Sequence, residues 1–125
     1  MVYAAYATSE GTARYRDRFS DRPENFRQAR GLWLSSIGLG TYLGIATDAV
    51  DRAYSQAIRR AVELGCNVID TAINYRHQRS ERAIGKALKR LHKEGVIQRD
   101  EIVIATKGGY LPFDRDLPPD HARYL

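Results

Sequence analysis

Three polar residues of the sequence have the types that a proton-transfer site needs. Asp70 closes the short apolar run Val68-Ile69, Tyr75 lies in the polar stretch just beyond it, and Lys107 follows the run Ile102-Val103-Ile104-Ala105 and Thr106. A phenol has an ordinary pKa of about 10, so it is protonated at neutral pH but is a reluctant donor. A neighbouring ammonium stabilises the phenolate and makes donation easier, and a carboxylate beside the ammonium keeps that cation charged. Taken singly, each residue has a plainer role: a strand-end Asp caps a turn, a loop Tyr packs on the surface, and a Lys after an apolar strand is the first solvated residue. The chemical reading therefore needs a fold that brings all three to one place.

The elements that would do so can be read from the pattern. Gly31 opens a segment with Leu32, Trp33, Leu34, Ile37 and Leu39, predicted as a hairpin arm and then a strand ending in the turn Gly38-Leu39-Gly40-Thr41. Thr47 is a suitable N-cap, Asp48 sits in the first turn where the helix dipole favours an anion, and Gly65 stands where a terminating glycine is expected. Between them Val50, Ala53, Tyr54, Ala57, Ile58, Ala61 and Val62 recur at helical spacing as one apolar stripe. The cycle repeats after Val68-Ile69. A polar loop runs from Asn74 to Arg79, Ser80 is the expected N-cap, and Ile84, Ala87, Leu88 and Leu91 form a second stripe that ends at Gly95. The continuous run at 102–105 suits a parallel strand covered on both faces. Strand, helix, strand, helix, strand at a repeat of roughly 33 residues matches successive βαβ units, so the predicted class is α/β with parallel strands.

Two architectures of that class compete. Gly38-Leu39-Gly40-Thr41-Tyr42-Leu43-Gly44 invites a dinucleotide-binding reading, but the place of the third fingerprint glycine is taken by Leu43, and the loop runs on to Thr47 before the helix starts. A closed parallel barrel builds its site from the loops at the C-terminal ends of its strands, where Asp70, Tyr75 and Lys107 would all lie.

Composition narrows the class of function. With 43% hydrophobic and 28% charged residues the chain is globular in type, not disordered. The net charge of +5 arises from interspersed signs without a basic run and reads as a solvated surface; no zinc-ligand spacing or aromatic RNA-binding signature supports nucleic acid as a partner. No apolar stretch suits a membrane span, the start lacks a secretory signal pattern, and the single Cys66 closes no intrachain disulfide, so a cytoplasmic location is expected. Cys66 itself reads as core filler. Residues 1–30 read as an irregular leader, 31–110 as the βαβαβ part, and 111–125, with Pro112, Pro118 and Pro119, as a tail without a helix or strand signal.

The blocks Gly38-Leu-Gly-Thr-Tyr42, Asn67-Val-Ile-Asp-Thr-Ala72 with Tyr75, Ser80-Glu81, Ile84-Gly85-Lys-Ala-Leu88 and Arg99-Asp-Glu-Ile-Val-Ile-Ala-Thr-Lys107 resemble the opening blocks of aldo-keto reductases, in order, over about Gly31 to Tyr110. The resemblance implies a (β/α)8 TIM-type barrel of which only the N-terminal part is present. It implies reduction of a small-molecule aldehyde or ketone with NADPH as cofactor, NADH being the alternative. By the family pattern Tyr75 would be the general acid, Lys107 and Asp70 would tune it, and Gly40, Thr41, Tyr42 and Asp70 would lie near the nicotinamide; no metal is expected.

Two departures accompany the likeness. The family's fourth catalytic residue, a histidine near the end of the next strand, has no counterpart, because His77, His92 and His121 do not match its motif. The residues for the adenosine phosphates are missing as well. Three strands cannot close an eight-stranded barrel, so a truncated chain, inactive alone, is expected. A non-catalytic cofactor-sensing subunit on the same barrel is the alternative, and a small basic nucleic-acid binder is a weaker third.

Overall fold

The computed structural model describes residues 6–124. The first helix, α1 (Ser9–Asp17), corrects the expectation of an irregular leader over residues 1–30, of which 1–5 lie outside the described residues. Thr8 caps α1, its Oγ1 accepting from the Gly11 amide at 2.9 Å. The helix carries too few apolar residues to make a stripe, because Gly11, Thr12 and Tyr15 are its only buried positions. Tertiary partners order it instead. The fully buried Tyr15 donates its hydroxyl to the Val62 carbonyl at 2.6 Å and packs against Phe19 and Phe26. At Gly11 a Cβ would fall 2.3 Å from the Asp100 carbonyl oxygen, so only glycine permits this approach.

Strands β1 (Phe26–Ala29) and β2 (Leu32–Ser35) form an antiparallel hairpin. Its two turn residues, Arg30 and Gly31, both have positive φ (53° and 77°), as a tight hairpin turn with right-handed strand twist requires. Strands β3 (Leu39–Gly40), β4 (Val68–Asp70) and β5 (Val103–Ala105) make a separate parallel sheet in that order. Helix α2 (Asp48–Glu63) connects β3 to β4, and α3 (Arg79–Lys93) connects β4 to β5. Leu39, Ile69 and Ile104 form one row across the sheet and pack on Ile58 and Val62 of α2 and on Ile84, Ala87 and Leu91 of α3. The next row, Gly40, Asp70 and Ala105, points to the opposite face because strand side chains alternate.

Helix α2 has the expected cap, with Thr47 Oγ1 accepting from the Val50 amide. Its stripe is buried at Ile58 and Val62, while Ala53 and Ala57 are exposed. Ser80 does not cap α3. The helix starts at Arg79 after Gln78, whose φ is +70°, and Ser80, in the first turn, spends its hydroxyl on the Thr41 carbonyl at 2.6 Å. A tertiary acceptor has outcompeted the local one. The 102–105 run also differs from its expectation of cover on both faces, since Ile102 is buried but Ala105 is exposed and both helices lie on one side. The tail is largely irregular as far as a short turn at His121–Tyr124.

The hairpin and α1 close the N-terminal end of the parallel strands. Asn67, fully buried just before β4, donates from Nδ2 to the carbonyls of Trp33 and Glu101 and accepts from the Ser35 amide at Oδ1. Glu101, fully buried before β5, accepts from Arg14, Arg18 and the Gln98 amide. Among the described residues no helix is long and apolar enough to cross a membrane.

Candidate active site

At the C-terminal end of the sheet the ladder continues past the strands. The Thr71 amide donates to the Ala105 carbonyl at 2.8 Å and the Ile73 amide to the Lys107 carbonyl at 3.1 Å. Asp70 pairs with Ala105 in register, so Lys107, two residues further along, shares the face of Asp70. Lys107 Nζ lies 2.9 and 2.8 Å from the two carboxylate oxygens of Asp70, 2.8 Å from the Thr71 carbonyl oxygen and 3.3 Å from the Tyr75 hydroxyl. The three residues singled out in the sequence therefore meet at one point.

Both members of the ion pair are about half exposed, at 50% and 49% of their side-chain surface. That leaves the cluster open to a ligand. The hydrogen bond to Asp70 holds the Lys107 ammonium above the usual lysine range; desolvation opposes the shift, and the Tyr75 oxygen adds to it. The amine stays a cation with its positive charge beside the phenol oxygen.

Of the other expected residues, Gly40 stands beside Asp70 in the ladder, and a Cβ there would meet nothing within 4 Å. Thr41 is buried, and its amide and hydroxyl both donate to the Asp70 carbonyl, at 3.1 and 3.0 Å. Its hydroxyl is thus already engaged and fixes the position of Asp70. Tyr42 is 67% exposed and its ring meets that of Tyr75 edge-on, 5.1 Å between centroids. His77 packs edge-on to Phe113, His92 sits on α3, and His121 bonds the Pro118 carbonyl. Cys66 is half-buried, its thiol directed at the carbonyls of Ile37 and Val68.

The sequence did not announce Arg76. A charged residue in a polar loop reads as solvated, yet its side chain is 1% exposed and bonds the carbonyls of Ile45 and Thr47 and the carboxylate of Asp51. Nothing local marks the pairing, because Asp51 belongs to the preceding helix. The Thr71 carbonyl, which helps hold Lys107, was equally invisible.

A carboxylate, an ammonium and a phenol converging at the C-terminal ends of parallel strands define a class: α/β proteins whose site can move a proton at a bound polar group. Comparison with known proteins makes this specific. The sequence model of the Aldo/keto reductase family matches residues 36–123, and the chain belongs to that family, whose fold is the TIM barrel. It is 42% identical over 77 residues to an aldose reductase of Encephalitozoon cuniculi and 39% identical over 80 residues to the aldo-keto reductase YhdN of Bacillus subtilis. Each alignment covers 62% of this chain and 23% of the relative. A Schizosaccharomyces pombe protein named as a voltage-gated potassium channel subunit beta is 35% identical over 86 residues, covering 68% of this chain and 24% of that one. Among solved structures, an aldo-keto reductase complexed with NADPH is similar at 30% identity with a TM-score of 0.53, covering 66% of this chain and 25% of that one. The chain thus spans about a quarter of the length of these relatives.

Proposed function

We propose that the chain carries part of the catalytic rim of an NADP(H)-dependent reductase that converts small-molecule aldehydes or ketones to alcohols. On this reading residues 31–110 are the first three βα units of an eight-stranded parallel barrel, with 111–125 a connecting tail. The observation that carries it is the contact of Lys107 Nζ with both Asp70 and Tyr75.

The residues divide the work as their surroundings suggest. Tyr75 is the proton donor to the carbonyl oxygen. The Lys107 ammonium, 3.3 Å from the Tyr75 oxygen, stabilises the negative charge that grows there as the proton leaves. Asp70 keeps the amine charged and oriented, and the Thr71 carbonyl fixes its third direction. The donor set fits the nicotinamide end of a dinucleotide: Gly40 offers open space on the rim, Tyr42 an exposed aromatic face, and Asp70 a polar edge. Thr41 supports them through its bonds to Asp70 and Ser80. A reduced nicotinamide bound there supplies hydride; the chain has to hold the carbonyl and deliver the proton. NADPH is the preferred form on the family likeness, with NADH second.

The test is Tyr75→Phe in the full chain, assayed for NADPH-dependent carbonyl reduction and for cofactor binding through Trp33 emission. Turnover should fall about 10²–10⁴-fold, the usual worth of a positioned general acid, with cofactor affinity kept. An unaltered rate ends the reading. The likeness to a channel subunit beta favours a second one, a cofactor-binding regulatory subunit. It requires NADPH binding that Tyr75→Phe leaves alone and no dependence of function on turnover.

A further inference from the structure

We propose that Arg76 is a positioning residue that clamps the loop after β3 onto the loop after β4 and so holds the Tyr42 ring against the Tyr75 ring. The consequence for turnover rests on the reductase reading above; the clamp itself does not.

Burying a guanidinium is unfavourable unless it is paired and hydrogen-bonded, so its partners identify what the burial achieves. Arg76 Nε donates to the Ile45 carbonyl at 3.1 Å, and Nη2 to the Thr47 carbonyl at 3.3 Å and to Asp51 Oδ1 at 2.6 Å. Its Cζ lies 5.1 Å over the Tyr54 ring, and the Tyr54 hydroxyl donates to the Leu43 carbonyl at 2.5 Å. At the start of the same loop the Thr41 carbonyl accepts from Ser80. The carbonyls of residues 41, 43, 45 and 47 are therefore each held by a side chain from α2, α3 or the loop after β4. Tyr42 is pinned on both sides.

The backbone bears the marks of the same device. Arg76, His77 and Gln78 are consecutive non-glycine residues with φ of 51°, 54° and 70°. L-residues adopt that region only against a steric penalty, and such strain persists where surrounding contacts over-determine it. The left-handed turn places the Arg76 side chain under the neighbouring loop directly after Tyr75. On the facing side Gly44 has φ of +102°, and a Cβ there would meet Val50 Cγ1 at 2.8 Å, with Arg76 Nε 3.9 Å away. The carboxylate of Asp51 completes the tie, its Oδ2 accepting from Arg79 at 2.7 Å at the entrance of α3. Asp51 thereby joins Arg76 of the Tyr75 loop and Arg79 of α3 to the helix that follows Tyr42.

The experiment compares the full chain with its Arg76→Lys and Asp51→Asn variants by NMR and by NADPH-dependent carbonyl reduction. In both variants the folded signature of Trp33 is expected to remain. The contacts between Tyr42 and Tyr75 ring protons should weaken or vanish, and amide exchange over residues 43–47 should quicken by about tenfold or more, as a local opening would make it. Where reduction is measurable, kcat should fall further than the KM for the carbonyl rises. Lysine keeps the charge without the fork, so its failure to restore the ring contacts distinguishes geometry from charge. Unchanged ring contacts and exchange in a folded variant overturn the proposal, as does a global loss of stability with the Tyr42–Tyr75 contacts intact. If Arg76→Lys does not fold, Asp51→Asn decides by the same criteria. An unaltered rate in Tyr75→Phe counts against the reductase reading alone, since the ring contacts report on the clamp independently.

Discussion

The two ends of the parallel sheet hold charge in opposite ways. At the N-terminal end the Glu101 carboxylate is 1% exposed and is met by Arg14, Arg18 and a backbone amide. At the C-terminal end Asp70 and Lys107 form an equally short pair, yet half of each side chain faces solvent. A buried carboxylate must be satisfied from every direction, which freezes everything around it. A half-exposed pair gains little stability from its own attraction and keeps room for a ligand. One end reads as construction and the other as chemistry.

The sharpest way to break that contrast is Glu101→Gln. It should cost about 3 kcal/mol of folding stability, the lower part of the range for breaking a buried pair, because Arg14 and Arg18 keep access to water. Urea unfolding measures it, and an unchanged midpoint would mean that packing alone holds this end. Gly11→Ala comes next at roughly 2 kcal/mol by overpacking, since the new methyl meets the backbone of Asp100.

Tyr15→Phe should cost about 1 kcal/mol for the lost bond to Val62. Burial pushes the Tyr15 phenol well above its ordinary range. The unfolded phenol ionises near pH ~10 while the folded one still holds its proton, so stability present below that pH is lost as pH rises beyond it. Tyr15→Phe should flatten the alkaline decline, which unfolding curves at several pH values will reveal. Lys107→Met is expected to have the smallest effect on stability, leaving the thermal midpoint where it was. On the reductase reading it removes most carbonyl reduction. A large drop in midpoint would make Lys107 another structural group.

The elements easiest to read from sequence were those whose pattern is local. Helices α2 and α3 carry stripes at helical spacing and glycines beyond their ends, and the runs ending at Asp70 and Ala105 are short and apolar. Asp70, Tyr75 and Lys107 could be singled out because each follows such a run. What escaped was set by distant partners. Helix α1 is ordered by residues such as Val62 and Asp100, far along the chain, and offered only its Thr8 cap and the Tyr15–Phe19 spacing as local signals. Ser80 has the right chemistry for a cap but found a better acceptor in Thr41. Arg76 looked like any solvated loop cation until the carbonyls of the facing loop closed on it.

The docking of α1 on residues 100 and 101 has a consequence for synthesis. A nine-residue helix is marginal in water by itself. Thr8, Arg14 and Arg18 each also bond to residue 100 or 101, translated more than eighty residues later. While the ribosome is still making α2 and α3, the first helix can meet only the hairpin, through Phe26 and Trp33, and stays partly docked and available to chaperones. A helix made before the parallel sheet is therefore among the last elements to be fully fastened.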